Sequence, residues 1–199
     1  MEPELLNLPA TFKLTDEQFK QLCRTNETWK IEQTATGKLI IMPPTGGESR
    51  IRNADLNFQV FFWNRQTQLG YVFDSSTIFR LPNRAKRSPD VAWIQQARWN
   101  SLSPEEKRKF PQTCPDFVIE LRSETYSFST LQSKLLDYLK NGIKLGWLID
   151  LQTRQVEICR SDKAVEMINF SGIKTSLTLS GESVLPGFVM DLEPIFRRY

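Results

Sequence analysis

Histidine is absent from all 199 residues. That removes Ser-His-Asp and Cys-His nucleophile systems, a histidine general base and every histidine zinc ligand. Cysteine is scarce. Cys23, Cys114 and Cys159 stand far apart and make no C-x-x-C pair, which argues against a cysteine-only zinc site as well. An odd, sparse set points to a reducing compartment, not a disulfide framework. The nine glycines are thinly spread. They build neither G-x-x-x-x-G-K nor G-x-G-x-x-G, whose backbone amides cradle phosphates. No apolar run approaches the ~18 residues needed to span a bilayer. The start, MEPELLNLPA, is acidic and broken by Pro3 and Pro9, unlike a signal peptide. The expectation is a cytoplasmic protein whose chemistry, if it has any, rests on carboxylates, lysines and arginines.

What is present has the balance of an ordinary globular protein, 40% hydrophobic and 25% charged. The length suits one well-buried core and would cramp a second full domain. The net charge of +3 is unevenly placed: Arg80 to Phe110 holds eight basic residues and three acids. From charge alone this stretch reads either as a solvated loop and helix or as a footprint for phosphates.

Residues 11–24 read as an amphipathic helix capped by Thr15, with Gln18 three positions on. TWKIEQTATGKLIIMPP reads as two strands joined at Thr36-Gly37. Gly46-Gly47 opens a long helix to about Gln68. Its apolar stripe is Ile51, Ala54, Phe58, Phe61 and Phe62, with Leu56, Val60 and Trp63 as a second face, which predicts burial on two sides. YVFD and TIFR alternate like a strand pair, PDVAWI is another strand, and a short helix starts at Ser103-Pro104. PDFVIELR is a dense, central strand. SFSTLQSKLLDYLKNG is a helix ending at Gly142, and LGWLIDL and QVEICR are strands turned at Thr153-Arg154. The result is an α/β (α+β) fold with a mixed sheet flanked by helices.

Several acidic and basic positions stand out. Asp90 opens a strand in Ser88-Pro89-Asp90. Glu120 ends the apolar run FVIE, a costly place for a carboxylate unless it is paired or binds metal. Arg122, two residues on, projects to the same face of its strand. Lys134 borders the stripe of Leu131, Leu135, Tyr138 and Leu139 on the following helix and can point across the sheet. Glu48 and Asp55 share one line of the long helix. Two carboxylates and a lysine meet the needs of phosphodiester hydrolysis with Mg²⁺ or Mn²⁺, because magnesium takes one or two carboxylates and keeps several waters. The plainer readings are a turn cap for Asp90, an ion pair of Glu120 with Arg122 or Lys134, and a solvent-directed Lys134.

Ser88-Pro89-Asp90 followed by Glu120-Leu121-Arg122 resembles the P-D…(D/E)-x-K signature of restriction-endonuclease-like nucleases. The ordered segments PPTGGESRIRN, FDSSTIFRLPN, RSPDVAW, CPDFVIELRS and LQSKLLDYLKNGIKLGWLID are similar to the Uma-two family of that fold, the domain of unknown function eight-twenty. The resemblance implies a restriction-endonuclease-like core with an N-terminal β-hairpin in one domain over 1–199: helix and hairpin 1–45, core 46–160, C-terminal strands 161–199. It implies Asp90 and Glu120 as metal ligands, Glu48 as the acid of the first core helix, and Lys134 as a lysine relocated from the place where Arg122 stands. Glu124 departs from the family's usual proline. The implied activity is Mg²⁺- or Mn²⁺-dependent cleavage of DNA, or RNA, by a homodimer. Trp147, Trp99 and Phe196 are its expected exposed apolar residues. The other classes left open are a non-cutting nucleic-acid-binding protein of the same fold and an interaction domain with a vestigial site.

Overall fold

The most continuous apolar run, Phe117–Arg122, occupies an inner position of a six-stranded sheet, as its two-sided hydrophobicity requires. The computed structural model describes residues 4–6, 8, 14–42, 44, 46–123, 126–172 and 177–197. Glu124 and residues 11–13 of the expected first helix lie outside them. The chain runs β1 (Glu4–Leu6), α1 (Asp16–Thr25), β2 (Lys30–Gln33), β3 (Leu39–Met42), α2 (Gly47–Thr67), β4 (Gly70–Asp74), β5 (Phe79–Arg80), β6 (Lys86–Arg87), β7 (Val91–Gln95), α3 (Gln96–Asn100) and α4 (Pro104–Arg108). It continues through β8 (Phe117–Arg122), α5 (Phe128–Lys140), β9 (Leu145–Asp150), β10 (Gln155–Arg160), β11 (Lys163–Asn169), β12 (Thr178–Ser180), β13 (Val189–Asp191) and α6 (Glu193–Phe196).

The large sheet has the order β11-β10-β9-β8-β7-β4. Its pairs are antiparallel except β8–β9, which are parallel and joined through α5, the long crossover that a parallel pair needs. A second, antiparallel sheet has the order β1-β3-β2-β6-β5, built on the N-terminal hairpin β2–β3. The hairpin turn carries Gly37 at φ 90°, a conformation that favours glycine. β12 and β13 pair separately. This is the mixed α+β architecture expected, sheets flanked by helices.

Alternation along the strands sorts the core onto the two faces of the large sheet. Val91, Trp93, Phe117, Ile119 and Trp147 pack with Leu56, Val60 and Trp63 of α2. Ala92, Ile94, Val118 and Leu148 pack with Leu131, Leu135 and Tyr138 of α5. Helix α5 lies close on the sheet because β9 offers Gly146 there: a Cβ at that position would stand 2.7 Å from Leu135 Cδ1. Thr15 and Gln18 form a full capping box on α1, and Ser103 and Glu106 form another on α4.

Three expectations need correction. YVFD and TIFR form strands but do not pair with each other. β4 pairs β7 and β5 pairs β6, because the chain turns at Asp74, whose Oδ1 accepts from Ser76 N at 3.0 Å, and passes to the other sheet. Helix α2 is buried on one side only. Leu56, Val60 and Trp63 are covered, while Ile51, Phe58, Phe61 and Phe62 are about half exposed. Finally, Trp147 is fully buried and Phe196 nearly so, and Trp99 packs beside Phe73 and Tyr71, so these residues do not form an exposed apolar surface.

Candidate active site

The antiparallel register of β7 and β8 sets Val91 opposite Ile119. One step further brings Asp90 alongside Glu120, both on the face covered by α5. Asp90 is fixed from three sides: its N donates to Ile119 O (3.1 Å), its Oδ2 accepts from Leu121 N (2.8 Å), and Oδ1 accepts from Asn53 Nδ2 on α2 (3.4 Å). Lys30 Nζ of β2 lies 3.7 Å from Oδ1.

Lys134, on the inward face of α5, reaches Glu120. Its Nζ lies 2.8 Å from Oε1 and donates to Oε2 at 3.0 Å. The same ammonium donates to Ser88 O at 2.9 Å and stands 2.7 Å from Glu32 Oε1. Its three protons are therefore engaged. Glu32 comes from β2, is buried, and also accepts from Arg87 Nη1 (3.2 Å) and from Ser88 N (3.0 Å). Arg87 continues outward to Asp137 of α5. The cluster thus alternates in sign: three carboxylates, Asp90, Glu120 and Glu32, among Lys30, Lys134 and Arg87.

Burial pushes the Glu120 carboxyl up to about 7; Lys134 opposes that shift and the charge of Asp90 adds to it. For Glu32 burial acts in the same direction, but Lys134, Arg87 and Lys30 together override it and hold the carboxyl down at about 2. Lys134 is desolvated, yet Glu120 and Glu32 raise its pKa, so it stays charged.

Two cavities meet at this cluster. One, of about 300 Å³, lies over Glu120 and Lys134 and is bordered by Ser49, Tyr126 and Thr130. The other, of about 700 Å³, is an open groove between Trp29 and the Arg50–Asn57 side of α2. Lys30, Asn53 and Asp90 line both. Asn53 Oδ1 is buried there without a hydrogen-bond partner.

Asp90, Glu120 and Lys134 therefore come together. Glu48 does not join them: it is exposed at the start of α2, 3.2 Å from Arg52 Nη1. Arg122 shares the face of Glu120 but turns to Asp150 on β9, 2.7 Å away, and to Tyr126 O. Five of the eight basic residues of the Arg80–Phe110 segment are engaged in ion pairs. Arg80 and Lys86 pair with Asp16, Arg87 with Glu32 and Asp137, Arg98 with Asp116, and Lys109 with Glu105. Reading the sequence missed Lys30, Glu32, Asn53 and Tyr126. Only the polar residue in the short run KIEQ signalled Glu32, and nothing local linked the hairpin to a site ninety residues away.

The carboxylate donors suit a hard cation. Among the described residues no group of three or more Cys, Asp or Glu side chains is arranged as a metal cage. Mg²⁺ does not need one, because one or two carboxylates with waters suffice. Asp90 and Glu120 fit that description: both line the cavity over Lys134, and the buried Glu120 Oε1 already holds a cation, the Lys134 ammonium, 2.8 Å away.

Comparison with known proteins gives a family match over residues 16–193, to the Uma2 model described as "Putative restriction endonuclease". No curated protein matches the chain. Among solved structures it is similar to the crystal structure of a "putative nuclease belonging to DUF820" from Anabaena variabilis. The two are 20% identical with a TM-score of 0.73, covering 92% of this chain and 97% of that one. At that identity the likeness shows the fold alone. No helix among the described residues is long and apolar enough to cross a membrane.

Proposed function

Because the chain belongs to the Uma2 family, we propose that it is a divalent-metal-dependent endonuclease that hydrolyses phosphodiester bonds of DNA. The observation that carries this reading is the placement of Asp90 and Glu120 on adjacent strands beside one cavity, with the Lys134 ammonium 2.8 Å from Glu120. Asp90 and Glu120 would hold Mg²⁺ or Mn²⁺. A bound ion would supply an acidified water and charge neutralisation at the phosphate.

The protein's own groups do the rest. Asp90 is held by Leu121 N and Asn53, so it presents a fixed carboxylate. Glu120 must be ionised to serve, and its elevated pKa means that it sheds a proton near neutral pH when a cation approaches. Lys134 remains protonated and cannot accept a proton. Its role is electrostatic: a fixed positive charge beside the position where the phosphate gains negative charge. Lys30 adds a second cation at the mouth of the groove. Arg122, engaged by Asp150, fixes the end of β8 and takes no part in the chemistry.

A second reading is a non-cutting nucleic-acid-binding protein of the same fold. It is favoured by the arginine at the signature lysine position and by the full engagement of the Lys134 ammonium. Incubating supercoiled plasmid, linear DNA and RNA with Mg²⁺ or Mn²⁺ separates the two. Nicking that disappears in Asp90→Ala supports the nuclease. Salt-dependent DNA binding without cleavage by either metal supports the binder.

A further inference from the structure

Trp29 and Lys30 are neighbours at the start of the N-terminal hairpin, and both line the groove of about 700 Å³ that reaches Asp90. The turn after α1 fixes the backbone of Trp29, whose N donates to Asn26 O at 3.0 Å. The residue is 38% exposed. Lys30 opens β2, where it pairs with Met42 of β3. Lys30 and Glu32 project to one face of that strand. Glu32 is tied to Lys134, Arg87 and Ser88 N, so the hairpin is locked to the floor of the catalytic cavity. That lock aims Lys30, whose Nζ stands 3.7 Å from Asp90 Oδ1. An aromatic ring and an ammonium are therefore carried by adjacent residues, their Cα atoms about 3.8 Å apart, on the way into the site.

Resting on the reading of that site as a DNA nuclease, we propose that the groove takes an unpaired DNA strand: Trp29 stacks on a base and Lys30 holds a neighbouring phosphate over Asp90. Stacking on an aromatic side chain needs a base whose flat face is uncovered. Within a duplex the neighbouring base pairs cover both faces, so the ring selects an unpaired or splayed base.

The depth of the site points the same way. Glu120 is 1% exposed and the Asp90 side chain 15%, so the phosphate must come down into a recess to meet them. A single strand enters with one rotatable backbone, whereas a duplex brings its second strand along. The groove's volume lies in the range of pockets that hold one compact organic ligand, ~300–1,000 Å³, which is space for one or two nucleotides. On the far wall Asn53 and Asn57 stand one turn apart on α2. Their amides suit the hydrogen-bonding edges that an unpaired base exposes. The substrate class is thus DNA ends, flaps or melted segments, not the interior of a duplex.

Anisotropy of one labelled oligonucleotide, offered as a single strand and as a duplex without divalent metal, tests the groove. The wild type is expected to hold the single strand tighter, by on the order of tenfold. Trp29→Ala should weaken single-strand binding by about tenfold and leave duplex binding unchanged, and Trp29→Phe should restore most of the loss. Trp29→Leu, which keeps an apolar side chain but no ring, serves should Trp29→Ala fold poorly. Lys30→Gln should flatten the salt dependence on single strands by about 0.7 in slope, the share of one phosphate. Equal or tighter binding of the duplex by the wild type overturns the inference. So does wild-type affinity for the single strand in Trp29→Leu, or no binding of either form. Cleavage of the same oligonucleotides with Mg²⁺ or Mn²⁺ separates this inference from the nuclease reading. Trp29-dependent binding without cleavage upholds the groove and removes the nuclease. Duplex cleavage that Trp29→Leu leaves untouched upholds the nuclease and removes the groove.

Discussion

Lys134 Nζ lies 2.7 Å from Glu32 Oε1 and 2.8 Å from Glu120 Oε1, so a single ammonium ties the N-terminal hairpin to the central strand of the large sheet. Removing one member of such a buried group leaves its partners uncompensated, at a cost of about 3–5 kcal/mol. Glu32→Ala should therefore lose stability of that order in urea denaturation, although Glu32 lies far from Glu120 in sequence. A loss within the ordinary surface range of ~0.5 kcal/mol would contradict the buried network.

In a cleavage assay, Lys134→Ala should slow hydrolysis by on the order of a hundredfold or more while DNA affinity changes little, because its charge acts in the transition state. Arg122→Ala should behave differently, lowering the melting temperature through the loss of its pair with Asp150. Equal cleavage by wild type and Lys134→Ala would exclude the helix lysine from the reaction.

Divalent-ion binding should strengthen as pH rises through about 7, since Glu120 must release its proton first. Calorimetric titration of Mn²⁺ in two buffers of different ionisation enthalpy would count the released proton. Asp90→Ala should abolish the binding heat, and binding equal to wild type would remove Asp90 from the metal site.

The two glutamates give opposite pH limbs. Glu32 is ordinarily near 4.5 and is held at about 2 in the fold. Between those values the unfolded chain binds more protons, so stability rises with pH there, by about 3 kcal/mol. Glu120 runs from 4.5 up to about 7. In that window the native state binds more protons, and its contribution falls as pH rises. Chemical denaturation across pH 3–7 should lose the lower limb in Glu32→Gln and the upper limb in Glu120→Gln.

A thiol reagent should modify one cysteine in the native protein and three after denaturation. Burial pushes Cys114 and Cys159 up to about 12, leaving almost no thiolate, whereas Cys23 is partly accessible.

Much of this was legible where the signal is local. The capping box at Thr15 and Gln18, the glycine turn at Gly37 and the apolar run of β8 each carry their own physical cause. The position of Lys134 also followed from helical geometry. What failed needed long-range information. Helix α2 has two apolar faces, and periodicity cannot tell which of them meets the sheet. The run of basic residues from Arg80 to Lys109 reads as open positive charge until the fold supplies Asp16, Glu32 and Asp116. Glu32 entered the cluster only because β2 pairs with β6, a contact between segments more than fifty residues apart.

The glycine at 146 sets the packing beside the cluster. Since no side chain rises from β9 at that point, Leu135 of α5, the neighbour of Lys134, packs directly on the strand. Gly146→Ala would set a Cβ 2.7 Å from Leu135 Cδ1, so that side chain must turn aside to admit it. The residue beside the cluster's central cation is thus seated where the chain omits an atom, at a position that bears no functional group.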